Sequence, residues 1–306
     1  MQAAVVMLIF KRPATTARVF DAIRLARPER LFVVADGPRA DRPGEAEACL
    51  AARAATEGVD WPCRVERLYA EENLGCRRRV ATGLNAVFDA VDRAVILEDD
   101  CLPDPTFFGF CEELLERYAG DGRVGAISGD NFAGTVGGIR AGPEGPSYHF
   151  TRYPHIWGWA TWARAWRGFD PALPWWRGRA EFFRLRRRLG GVGAANFWYN
   201  WARQCRTGKL SSWAIPWTLH QWEHDRLTIG PERNLVSNIG NGEGATHTRD
   251  GENRFVGLPL ESMRPPLRHP THVQADPRVD EWTERNVFSA GRPMGWGDVR
   301  QLLLRP

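Results

Sequence analysis

Lysine is almost absent from this chain: Lys11 and Lys209 are the only two among 41 basic residues. The basic side is therefore arginine, whose planar fork suits phosphate and carboxylate, although a GC-rich genome leaves the same bias. A net charge of +4 over 306 residues gives little electrostatic footprint for nucleic acid, so no nucleic-acid partner is expected. The six cysteines form no CxxC pair and no metal-ligand spacing, and read as thiols of a reducing compartment. No apolar run is long enough to span a bilayer, and the opening "MQAAVVMLIFKRP" lacks the basic start and small-residue cleavage site of a signal peptide. A cytoplasmic location is the expectation, with the inner membrane face as its variant. No G-x-G-x-x-G follows the first apolar run, and no G-x-x-x-x-G-K-[ST] occurs anywhere, which excludes an ordinary dinucleotide or Walker-type phosphate site. No repeat of fixed period and no low-complexity tract is present.

What is present is the composition of a globular protein, 43% apolar and 25% charged. Continuous apolar runs at 4–10, 31–35, 94–97 and 124–128, with the alternating "RVERLY" at 64–69, read as strands, the former covered on both faces. Between them, "TTARVFDAIRLAR" sets Val19, Ile23 and Ala26 on one helical face. "RRVATGLNAVFDAV" does the same with Val80, Leu84, Val87 and Val91. This βαβαβ order predicts an α/β fold with a Rossmann-like, mainly parallel, doubly wound sheet flanked by helices.

Ligands of such sheets bind beyond the carboxyl ends of the strands, and here those ends are polar. The first runs into Lys11-Arg12-Pro13, the second into Asp36-Gly37-Pro38, and the 124–128 run into Gly129-Asp130-Asn131. The run at 94–97 ends in three adjacent acids, Glu98, Asp99 and Asp100. Carboxylates this close repel one another and resist losing water, so a cation belongs with them. A hard divalent ion bridging carboxylate and diphosphate oxygens is one such cation; a solvated acidic turn is the plainer alternative. Asp104-Pro105 then predicts a capped helix start, with Phe107, Phe110, Leu114 and Tyr118 near one stripe.

Three further features carry chemistry. Arg77, Arg78 and Arg79 stand at a helix start, where the backbone also favours anions. Eleven tryptophans crowd residues 157–222; indole faces pack on sugar rings, though most must fill a core. Trp157-Gly158-Trp159 suggests a bend beside an open surface. His247, in the glycine-rich "GNGEGATHT", is placed for a metal ligand or phosphate contact. "RLRRRL" forms a short basic amphipathic turn that could attract an anionic membrane weakly.

Taken in order, "FKRP", "VVADGPR", "ENLGCRRRV", "ILEDDCLPDPTFF", "ISGDNF", "RYPHIWGWATWARAW" and "NLVSNIGNGEGATHT" resemble the bacterial GT-A-fold glycosyltransferases of the haemolytic-protein-like family. The pattern is more distantly similar to N-acetylglucosaminyltransferase I. The resemblance spans about residues 4–250. It implies a nucleotide-sugar-binding half at 1–135 and a Trp-rich acceptor half of the same GT-A domain at 136–250; the last stretch, 251–306, is rich in proline and arginine with weak periodicity and reads as a wrapping C-terminal tail. It also implies a UDP-sugar donor, a glycan or lipid-linked acceptor, a Mn2+ (or Mg2+) ion and inversion at the transferred carbon. Arg12 would meet the donor's phosphates or base, Asp36 the uracil-like edge, and Arg78 or Arg79 the nucleotide. Glu98 and Asp99 would lie near sugar and ribose, Asp100 would ligate the metal with His247, and Trp157-Gly158-Trp159 would face the acceptor. Where relatives carry an aspartate after the tryptophan of "SSWAIPW", this chain has Ala214, which leaves Glu243, Asp130 or Glu223 to take the acceptor's proton. The rival readings are a non-catalytic nucleotide-sugar or glycan-binding protein and a sugar-nucleotide pyrophosphorylase.

Overall fold

The computed structural model describes residues 1–240 and 254–288. Strands β1 (Ala4–Ile9), β2 (Arg30–Ala35), β3 (Arg64–Tyr69) and β4 (Arg93–Glu98) make the parallel half of an eight-stranded sheet, in the order β3-β2-β1-β4. All six residues of β1 are buried, because helices cover both of its faces. The crossovers are α1 (Pro13–Ala26), α2 (Glu45–Ala54) and α3 (Cys76–Phe88). Pro13 opens α1, where a fixed φ and a missing N–H cost nothing.

The other half departs from the expected doubly wound parallel order. Strand β8 (Trp159–Trp162) inserts antiparallel between β4 and β6 (Val124–Ser128). Strand β9 (Leu227–Pro231) then runs parallel to β6, and β7 (Tyr148–Thr151) closes the edge antiparallel to β9. The sheet is thus mixed, with four of its seven ladders parallel. A separate antiparallel ribbon joins β5 (Cys101–Pro103) to β10 (Val236–Asn238).

Helices α1 and α4 (Thr106–Arg117) cover one face of the sheet. Helices α3, α6 (Ala163–Trp166) and the start of α9 (Ala214–Glu223) cover the other. Asp104 caps α4 as expected, its Oδ1 accepting the Thr106 N–H at 2.8 Å. A third apolar cluster lies among α7 (Arg179–Leu189), α8 (Val192–Arg206) and α9. Helix α5 (Phe132–Thr135) is a single turn capped by the Asn131 side chain.

Eight of the eleven tryptophans at 157–222 are buried, so the aromatic density is mainly core. Trp159 is only 1% exposed, with ring centroids 5.5 Å from Trp213 and 5.4 Å from Trp217. Trp159→Ala is expected to cost about 3–5 kcal/mol of unfolding free energy, read from the denaturant midpoint. A loss under about 1 kcal/mol would mean the cluster repacks freely.

The described part of the tail lies across the body. Ser262 Oγ donates to Asp104 at 2.9 Å, Ala275 bridges Phe150, and Met263 and Leu267 enter the core. Its helix α10 (Pro277–Asn286) was not expected from the weak periodicity. It forms because Asp276 caps the Arg278 N–H at 2.9 Å and Asp280 is anchored by Thr151 Oγ1 at 2.6 Å and Arg152 Nε at 2.7 Å. Among the described residues, no helix is long and apolar enough to cross a membrane.

Candidate functional site

Beyond the carboxyl ends of β1, β2 and β4 lies a cleft of about 370 Å³. The strand exits Phe10, Arg12, Asp36 and Glu98–Asp100 line one side, and Ile156, Trp157 and Ser211–Ala214 line the other. Leu8, Val34 and Val80 give the cleft an apolar region between these polar walls.

The acidic turn is held from three directions. Asp99 Oδ2 accepts the Phe10 N–H at 3.1 Å, joining the exit of β1 to that of β4. The Asp100 carbonyl accepts the Ile239 N–H at 2.8 Å, which brings the chain after β10 alongside. Arg12 Nη1 lies 2.5 Å from Asp100 Oδ2 and 3.5 Å from Asp99 Oδ1. Gly240 seals this pair: a Cβ there would sit 2.2 Å from Asp100 Oδ2 and 2.9 Å from Arg12 Nη1, so only glycine fits.

A cation therefore does accompany the acids, and it is a guanidinium at the entry of α1. One guanidinium does not balance three carboxylates. Burial, and then Asp100 and Asp99, push the Glu98 carboxyl up to about 8 against the opposing pull of Arg12 and a hydrogen bond from the Trp213 side chain. Burial pushes Asp99 up to about 7, Arg12 opposing and Asp100 adding to the rise. Burial thus favours the protonated forms of Glu98 and Asp99, which a further cation in the cleft would reverse.

The structure brings Arg12, Asp36, Arg79, Glu98, Asp99, Asp100 and Trp157 into one cleft. Two of these are already engaged. The Asp36 carboxylate accepts from the backbone N–H groups of Gly37, Leu74 and Gly75 and from Asn73 Nδ2, at 2.9–3.1 Å, so it organises the loop entering α3. Arg79 donates to the Ala35 and Leu68 carbonyls at the ends of β2 and β3.

Other expected site residues stand elsewhere. Arg78 is exposed and does not line the cleft, while Arg77 donates to the Cys205 and Pro171 carbonyls. Trp159 is core, not an acceptor surface, because β8 carries its side chain into the tryptophan cluster. Gly158, at φ 65°, is packed so closely that a Cβ would meet Val236 at 2.6 Å. Its role is close packing. Asp130 is buried, does not line the cleft, and has no hydrogen-bond partner for either carboxyl oxygen. His155 Nδ1 lies 3.5 Å away; burial raises Asp130 well above the carboxylate range and lowers His155 to about 3, which favours the neutral form of each. Glu223 is paired with Arg184 at 2.8 Å at the far end of α9. Glu243 and His247 fall outside the described residues. Among the described residues, no three His, Cys, Asp or Glu side chains are grouped to hold a metal ion.

The wall made by Ser211, Ser212 and Trp213 was not expected. Its residues are far in sequence from the acids, and nothing local marks them as partners of Glu98. A second cavity of about 330 Å³ lies between α7 and α9. Three of its four arginines are paired: Arg152 with Asp280 at 2.7 Å, Arg184 with Glu223 at 2.8 Å, and Arg188 with Asp225.

No sequence-family model and no curated protein matches the chain. Among solved structures, a UDP-glucose pyrophosphorylase complexed with UDP-glucose aligns at 10% identity over 76% of this chain and 90% of its own, with TM-score 0.39. Mouse xyloside xylosyltransferase 1 aligns at 11% identity over 74% of this chain and 84% of its own, with TM-score 0.39. Galactosyltransferase LgtC, in complex with donor and acceptor sugar analogs, aligns at 12% identity over 72% of this chain and 70% of its own, with TM-score 0.34. At TM-scores this low, these likenesses establish neither a shared fold nor a function for the chain.

Proposed function

We propose that this chain is a metal-dependent glycosyltransferase of the GT-A type, moving a sugar from a UDP-sugar to a glycan or lipid-linked acceptor with inversion. The observation that carries the reading is the acidic turn, three carboxylates beside one guanidinium among the described residues, opening into a cleft with an apolar region beside it. A base and ribose suit the apolar region, and a diphosphate with its counter-ion suits the acidic end.

The donor set fits a hard divalent ion such as Mn2+ or Mg2+, which takes carboxylate oxygen and keeps water and substrate phosphate as its other ligands. Asp100 would hold it, with no convergent trio of protein ligands needed. Such an ion, when bound, supplies charge stabilisation for the departing diphosphate. Arg12, at the entry of α1, would orient the phosphates. Glu98 and Asp99 would position sugar and ribose, and Trp157 would offer its half-buried ring to the acceptor.

One observation favours a second reading. Of the acids expected to take the acceptor's proton, Asp130 and Glu223 do not line the cleft, and Ala214 does. A nucleotide-sugar-binding protein without transfer would have this arrangement. Incubation with a panel of nucleotide sugars separates the two: Mn2+-dependent thermal stabilisation with slow UDP release supports the transferase. Stabilisation with no release at any acceptor supports the binding protein, and neither effect would overturn both.

A further inference from the structure

Helix α7 presents two unlike sides. Phe182, Leu185 and Leu189 pack into the cluster shared with α8 and α9. The only carboxylate of the helix, Glu181, lies on that buried side, its side chain 4% exposed. The outward side carries Arg179, Phe183, Arg186 and Arg187, all exposed. Their spacing of i, i+4, i+7 and i+8 keeps them on one face of a 3.6-residue helix.

Phe183 is 62% exposed at the centre of this face. Beyond the Gly190-Gly191 end, Val192 is a further exposed apolar side chain, at 42%. Arg184 and Arg188, at the flank toward α9, have their charge met by Glu223 and Asp225. Arg186 and Arg187 have no acidic neighbour on the outward face of the helix.

An aromatic ring surrounded by guanidinium groups suits a surface that is anionic outside and apolar just beneath. Lipid headgroups over acyl chains are such a surface. A nucleic-acid backbone would use the arginines but gives an isolated exposed phenylalanine no counterpart. We propose that the outward face of α7 docks on an anionic lipid bilayer. Phe183 enters the headgroup–acyl boundary, and Arg186 and Arg187 meet lipid phosphates. Helix α7 packs with α9, whose first residue, Ala214, lines the cleft, so docking would hold the cleft at a fixed distance from the membrane. The docking stands without the glycosyl-transfer reading.

Sedimentation of the full chain with vesicles tests it. Binding is expected to vesicles containing phosphatidylglycerol and not to pure phosphatidylcholine, and to fall steeply with salt. Arg186→Glu with Arg187→Glu should weaken it by at least about tenfold, and Phe183→Ala by about fivefold, with melting temperatures unchanged because all three side chains are exposed. Equal sedimentation with both vesicle types, or a double variant that binds as the parent does, would overturn the proposal. Equally tight binding to duplex DNA, insensitive to Phe183→Ala, would assign the face to polyanions in general and overturn it as well.

Discussion

Asp100→Asn should abolish the metal-dependent part of UDP binding. The substitution keeps the size of the side chain and removes the charge through which the acidic turn would hold a divalent ion. It leaves Arg12 with Asp99, 3.5 Å away, as partner, so the fold should tolerate it. Carboxylate-held ions on diphosphate contribute several kcal/mol, so calorimetry in Mn2+ should record at least about a hundredfold weaker affinity, equivalent to about 2.7 kcal/mol. In a chelator, parent and variant should bind UDP alike. Undiminished affinity in Mn2+ would remove the metal from the proposed chemistry and leave Arg12 as the cation of the site.

The second large effect concerns stability. Asp130 is buried without a hydrogen-bond partner, and burial raises its folded pKa well above the ordinary 3.8. Between the unfolded and the folded pKa, folding therefore takes up a proton. The associated stability is fully present below the unfolded pKa and is lost as pH rises toward the folded one. Asp130→Asn removes that linkage. Relative to the variant, the parent should lose up to about 1.4 kcal/mol per pH unit as the pH rises above the unfolded pKa. His155 has its folded pKa lowered to about 3, so its contribution runs the other way, present above 6.5 and lost as pH falls. It is common to both proteins and leaves the difference unchanged. Urea titrations at stepped pH give that difference directly, and parallel curves would show that Asp130 is ionised in the folded protein.

Much of this architecture was legible because it is written locally. Apolar runs at 4–10, 31–35 and 94–97 name strands covered on both faces, and polar residues at their ends name the edge where a cleft opens. The clash among Glu98, Asp99 and Asp100 required a cation, but the spacing could not say that Arg12, far upstream, would be one. Arg77, Arg78 and Arg79 look alike in sequence and differ in the fold because a helix turns each about 100° from the last. One therefore faces α8, one solvent and one the strand ends. The tryptophans misled in the same way. "WATW" is too short and too aromatic to announce a strand, and only long-range packing shows that Trp159 is core while Trp157, two residues earlier, reaches the cleft.

The reversed strand β8 has a geometric result for the cleft. Neighbouring strands lie about 4.8 Å apart, so a strand placed between β4 and β6 separates their exits by roughly 10 Å. Because it runs the opposite way, the segment leading into that strand, with Trp157, reaches the rim where its neighbours finish. The width of the bay is thus fixed by hydrogen-bonded backbone. Altering the surrounding loops would change what lines the mouth and leave its gauge the same.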